Sequence, residues 1–352
     1  MRWRARGAAR NVAAAAVAFA ACNAPLRAQS RGPAGTIVVS NMNDNSATVI
    51  DAASGRVLAT LPTGEGPHEV AISRDGRWAL VSNYGVRGKP GNTVTVIDVA
   101  RAEVARTITI AGFQRPHGMA FLPGDTLFVA TSETSQVVNV VDFRDGHVAA
   151  SRPTRGRASH MLALTARGDR LYTANIADAT ISSVDVNGRD SALVIPVGRQ
   201  PEGIAVTPDG SAVWVGSNRD SIVVVVDTRR GVAIDTLRGF GMPYRLAITA
   251  DSRLAVISDP VKGEVRVFTV ADRRSKFTIA IPRDSLVATA EVPGSPSPEG
   301  VATSPDGRWA FVTLQGRNQA VIIDLQRGVI TTYAPTGEWS DGIGFSRLTH
   351  DR

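Results

Sequence analysis

Pro201-Glu202-Gly203-Ile204-Ala205-Val206-Thr207-Pro208-Asp209-Gly210 and Pro298-Glu299-Gly300-Val301-Ala302-Thr303-Ser304-Pro305-Asp306-Gly307 are two copies of one unit, and its recurrence decides the fold. Each copy has a Pro, a variable residue, and a short apolar run around Ala that ends in Ser or Thr before an Asp-Gly turn. Looser copies begin at Pro67, Pro116, Ser159, Pro243 and Ser340, so successive anchors stand 49, 43, 42, 42, 55 and 42 residues apart. That spacing is the period of a four-stranded propeller blade.

The remaining strands follow outward from the anchor. Asp-Gly turns such as Asp75-Gly76 and Asp209-Gly210 separate the first apolar run from a second, which is a strong hairpin signal because Gly relieves the positive φ of such turns. A third run ends in Asp, as at Asp51, Asp98, Asp142, Asp185, Asp227 and Asp324, where the carboxylate is expected to cap the turn through the backbone. A fourth, shorter run such as Val104 to Ile110 completes the unit. The chain from Thr36 supplies second, third and fourth strands with no first strand before them, while Trp339 to Ser346 supplies a first strand with nothing after it. Pairing these two ends closes the ring and protects the sheet edges. The expected fold is all-β: a seven-bladed propeller of four-stranded antiparallel blades, occupying 31–352 as one domain. Trp78, Trp214 and Trp309 fall at strand-two positions and are expected to pack between blades. Asn41, Asn83 and Asn175, at the ends of second strands on the mouth face, read as turn residues, with support of the site's side chains as the alternative.

On these Pro-x-Gly-apolar-Ala-apolar-Thr/Ser-Pro-Asp-Gly units, and on the Val39-Ser40-Asn41 and Val81-Ser82-Asn83 runs, the chain resembles the YVTN-type, or YncE-like, beta-propeller repeat family. The resemblance implies a surface or periplasmic propeller and little about chemistry. Ser159 in place of Pro, and Asp251-Ser252 in place of Asp-Gly, depart from the pattern.

Residues 1–30 read as a leader: Arg2, Arg4, Arg6 and Arg10 precede an apolar stretch from Val12 to Ala21 that is too short to span a bilayer. Two cleavage readings stand, a lipoprotein box before Cys22 and an ordinary site at Ala28-Gln29-Ser30. Either implies export, to the periplasm, to the outer membrane through a lipid anchor at Cys22, or to the medium. Cys22 is the single cysteine, so no internal disulfide forms. The formal charge of +7 falls to +2 once residues 1–30, with five Arg and no acid, are removed. No basic stripe remains in the mature chain, and nucleic acid is not an expected partner.

Strand order puts the start of every first strand on one face, at the mouth of the central channel. The residue after each anchor then reads His68, His117, His160, Glu202, Tyr244, Glu299 and Asp341, all able to hold a metal or share a proton. The leading expectation is a divalent zinc, copper or iron ion, or a small polar ligand, held by His68, His117 and His160 with Glu202, Tyr244, Glu299 and Asp341 opposite; the alternative is a ring that is merely solvated. Arg115, Arg155, Arg157 and Arg199 lie in loops entering first strands and would favour an anion, or simply form a solvated fringe. The Tyr84 to Asn92 segment, with Lys89, has three glycines and reads as a flexible rim loop.

Three functions compete: a binding module for a small molecule or metal, a metal-dependent lactonase-like hydrolase at the same mouth, and a cell-envelope protein scaffold. No nucleophile elbow, zincin helix or haem-attachment CxxCH occurs, which favours binding over catalysis.

Overall fold

The computed structural model describes residue 1 and residues 32–287 and 290–350. The proposed leader, with Cys22, lies outside the described residues. Gly32–Arg352 form one compact unit, and no helix among the described residues is long and apolar enough to cross a membrane.

Seven four-stranded antiparallel sheets make up the unit. Blade 1 runs through strands Pro67–Ile72, Trp78–Val86, Lys89–Asp98 and Glu103–Thr109. Blades 2 to 6 begin at strands Pro116–Phe121, Ser159–Leu164, Pro201–Val206, Leu246–Ile248 and Pro298–Thr303. In blade 7, Ser340–Ser346 pairs with Thr36–Asn41, which continues into Ser46–Asp51 and Val57–Pro62. The ring is thus closed by the two ends of the chain, as the repeat phase requires.

Blade-to-blade packing explains the apolar pattern. Each of seven core clusters spans one interface; Val38, Ala47 and Val49 of blade 7, for example, pack on Ala79, Val81, Ile97 and Val99 of blade 1. Second and third strands are covered on both faces, so they read as continuous runs, and Thr36–Asn41 is buried at every position. Outer strands such as Val329–Pro335 are covered on one face and alternate instead. Trp214 and Trp309 fill interfaces between blades 4 and 5 and between blades 6 and 7. The Asp closing six of the seven third strands caps its turn as expected, with Asp98 accepting from the Arg101 amide and Asp185 from the amides of Asn187 and Arg189.

Two local expectations are corrected. Tyr84 to Asn92 is no loose loop: the second and third strands of blade 1 extend into a hairpin with Gly85 opposite Pro90 and Val86 opposite Lys89. Gly88, at φ +82, makes the tight turn that joins them. Asn41, Asn83 and Asn175 are not turn residues but buried staples. The Asn83 amide donates to Thr93 and Thr95 and its carbonyl accepts the Gly64 amide, so the end of one strand holds the loop entering another.

Candidate functional site

A β-bulge sits just after the anchor in nearly every first strand, with register shifts between Pro67 and Val70, Pro116 and Met119, Pro201 and Ile204, and Pro298 and Val301. The extra residue re-aims the side chain after the anchor towards the axis. Ser or Thr hydroxyls from the preceding blade then fix it: Thr131 donates to the His160 carbonyl at 2.7 Å, Ser258 to Glu299 at 2.6 Å and Thr313 to Asp341 at 2.8 Å. Ser40 makes the same contact with the His68 carbonyl.

The ring is therefore a connected cluster. His68 Nδ1 lies 3.1 Å from Asp341 Oδ2. His117 is wholly buried, its ring centroid 3.4 Å from that of His160 and 5.0 Å from that of His68. His160 donates through Nδ1 to Glu133 at 2.7 Å and through Nε2 to Glu202 at 3.1 Å. Glu299 accepts from Ser297 and Gln315, both at 2.9 Å. The Tyr244 ring lies 4.4 Å from the Arg245 guanidinium.

Repeat reading of the anchor register misses the residue that locks this cluster. The position one further along reads Glu69, Gly118, Met161, Gly203, Arg245, Gly300 and Gly342. A Cβ on Gly203, Gly300 or Gly342 would collide with the backbone of the next blade's first strand. Blades 1 and 5 carry opposite charges there instead. Arg245, 3% exposed, donates to Glu202 at 2.7 Å and to Glu69 at 2.7 and 3.1 Å, crossing the axis between residues 176 apart in sequence. This ion triad bridges the channel from blade 5 to blade 1. A second missed register follows each second strand: Met42, Tyr84, Glu133, Ile176, Asn218, Pro260 and Gln315. From it, Tyr84 Oη donates to Glu133 at 2.7 Å, and so supports His160 from behind.

Charge states follow from these contacts. Burial works against a charged His160, yet Glu202 and Glu133 on its two nitrogens raise it to about 9. Burial alone would raise Glu202, but His160 and Arg245 bring it down to about 2. His117 is pushed well below the usual imidazole range by burial, then by its cationic neighbours, and stays neutral. Burial and the nearby Asp341 raise Glu299 well above the carboxylate range.

The expected metal triad does not fit this geometry. No group of three or more His, Cys, Asp or Glu among the described residues is arranged to hold a metal ion. Imidazole lone pairs lie in the ring plane, so the overlapping His117 and His160 rings do not converge on one point, and both His160 nitrogens already face carboxylates. The rim cations divide. Arg157 bonds Asp178 through Nε at 2.5 Å and Arg199 bonds Asp220 through Nε at 2.7 Å, each pinning an entry loop. Arg115 instead lies 4.5 Å over the Tyr84 ring and forms no ion pair among the described residues.

These features define a class: a seven-bladed propeller with a mouth packed with charged and aromatic side chains. The YNCE-like beta-propeller family model matches residues 9–126. The uncharacterized proteins YncE of Salmonella typhi and of Salmonella typhimurium are each 24% identical to the chain over 246 residues, 65% of this chain and 65% of their own length. The resemblance to YncE-like propellers read from the repeats is thereby shown. Among solved structures, a functionally unknown protein from Desulfotomaculum acetoxidans superposes with a TM-score of 0.72 at 14% identity, covering 90% of this chain and 100% of that one. Kuenenia stuttgartiensis hydrazine synthase superposes with a TM-score of 0.66 at 17% identity over 86% of this chain and 98% of the matched chain. At such identities the likeness is one of fold.

Proposed function

We propose that the chain is an exported binding module that receives a small polar ligand at the channel mouth. One observation carries the reading: hydrogen-bonding capacity is left open there. Both nitrogens of His117, both side-chain polar atoms of Asn218, Trp339 Nε1 and Asp341 Oδ1 are buried without a partner among the described residues. Buried polar groups in folded proteins are nearly always satisfied, so such a concentration at one mouth supports an external partner. Export rests on the basic start and apolar stretch within residues 1–30.

Thermal unfolding of the wild type and of His117→Leu with formate, benzoate or inorganic phosphate tests the binding reading. At least one probe should raise the wild-type Tm and leave the variant unmoved. No shift with any of them would contradict it. For export, mass spectrometry of the mature N-terminus should find a lipid-modified Cys22 or a start near Gln29; a chain that keeps residues 1–30 would contradict it.

A further inference from the structure

The residue before six of the seven anchors adopts the left-handed conformation: Gly66 at φ +57, Arg115 at +53, Ala158 at +54, Gln200 at +54, Ser297 at +46 and Trp339 at +59. Its carbonyl accepts an amide just past the second strand, as Gly66 does from Tyr84 at 3.0 Å and Trp339 from Met42 at 3.1 Å, which holds the strained backbone in place. In blade 1 this position has no side chain, while its neighbours in blades 2 and 7 carry Arg115 and Trp339. The gap between them is a cleft of about 370 Å³, with His68 in its lining and the Tyr84–Val86 strand end as one wall.

The lining is chemically one-sided. Arg87 and Arg115 contribute two guanidinium groups that form no ion pair among the described residues, and no carboxylate lines the cleft. Trp339 brings an indole N–H without a hydrogen-bond partner. Met42, Val86 and the Trp339 and Tyr84 rings supply apolar area. Arg115 stacks on Tyr84 and makes only one long hydrogen bond, at 3.4 Å to the Val86 carbonyl, so its fork is open to a planar anion. His68 is held by Asp341 through Nδ1, and its Nε2 has no protein partner among the described residues. Arg87 and Arg115 are thus the only charged side chains among the residues that line the cleft, with the His68 imidazole beside them.

We propose that this cleft binds a small organic anion with a flat apolar body: its carboxylate on the Arg115 and Arg87 side, its body against Trp339, Met42 and Val86. The volume falls within the range of small-ligand pockets. This rests on the reading of the mouth as a binding site and adds the place and the chemical class.

The experiment is calorimetric titration of the full mature chain with benzoate, its neutral amide benzamide, and formate. Benzoate should bind at least about tenfold more tightly than benzamide, which lacks the charge, and than formate, which lacks the ring. Arg115→Gln should weaken benzoate about tenfold, and Arg87→Gln, at an exposed turn position, should weaken it less. Benzoate should also change the emission of the wild type but not that of Trp339→Phe. Equal affinity for benzoate and benzamide, unchanged binding in both Arg variants, or an equal emission change without Trp339 would each overturn the proposal. Formate binding that depends on His117, with no benzoate binding, would sink this inference and leave the mouth-binding reading standing; no binding of any probe would sink both.

Discussion

The two faces of the propeller hold similar side chains and use them differently. A cleft of about 840 Å³ between blades 3 and 4 opens on the turn face, larger than the cleft of about 370 Å³ at the mouth. Most of its charges are already paired. Asp209 accepts from Thr207 and Ser211, Asp169 from Thr165, Asp227 from the amides of Arg229 and Arg230, and Arg170 donates to Ser183 and Asp190. None of its lining side chains keeps a buried polar atom without a partner among the described residues, whereas His117, Trp339 and Asp341 at the mouth do. Open hydrogen-bonding capacity, and not cavity size, separates the mouth from this cleft.

Substitutions can break or sharpen this contrast. Arg245→Met should have the largest effect, because it leaves Glu69 buried without its cation and Glu202 with His160 alone; we expect a loss of roughly 3–5 kcal/mol in urea unfolding. An exposed turn-face cation such as Arg167, paired with Asp169 at 3.1 Å, should cost less than about 1 kcal/mol when changed to Ala. A comparable loss at both sites would erase the distinction between the faces.

Stability should also depend on pH through the His160–Glu202 pair. His160, raised to about 9, contributes fully below the ordinary imidazole value of 6.5 and loses its contribution as pH rises towards 9. Glu202, lowered to about 2, contributes fully above 4.5 and loses its share as pH falls. Counted once, the pair is worth on the order of 3 kcal/mol, so unfolding free energy should fall by about that much between about pH 6 and pH 9.5. In His160→Gln most of that slope should vanish; an unchanged slope would place the titration elsewhere.

Glycine substitutions compare the faces at the backbone. Gly300→Ala at the mouth drives a methyl into the Asp341 carbonyl and should cost about 1–3 kcal/mol through overpacking. Gly210→Ala on the turn face meets nothing closer than Thr165 at 3.8 Å, and its φ of +74 alone should cost about 1–2 kcal/mol. Smallest of all, Tyr84→Phe removes one hydroxyl bond to Glu133 and should cost about 1 kcal/mol in urea unfolding.

The fold was legible because blade packing imposes a period on apolar residues, and ring closure follows from where Thr36 and Ser346 fall in that period. The inward register was legible for the same reason, since the bulge repeats with the blade. What escaped was the departure from consensus. Glu69 and Arg245 occupy a slot that close strand approach reserves for glycine elsewhere, and their opposite charges on distant blades were the available signal. Tyr84 and Glu133 reach the cluster from second-strand ends, outside the register of the anchors. Arg157 and Arg199 read equally as an anion ring or a solvated fringe, because nothing in the linear order announces Asp178 and Asp220 as partners 21 residues away.

A double-mutant cycle between Glu69→Gln and Arg245→Met tests the convergence of the blades on one mouth most directly. The two residues lie 176 positions apart and touch only if the ring brings them together. The account expects a coupling above about 1.5 kcal/mol in unfolding free energy, whereas additivity within about 0.5 kcal/mol would contradict it.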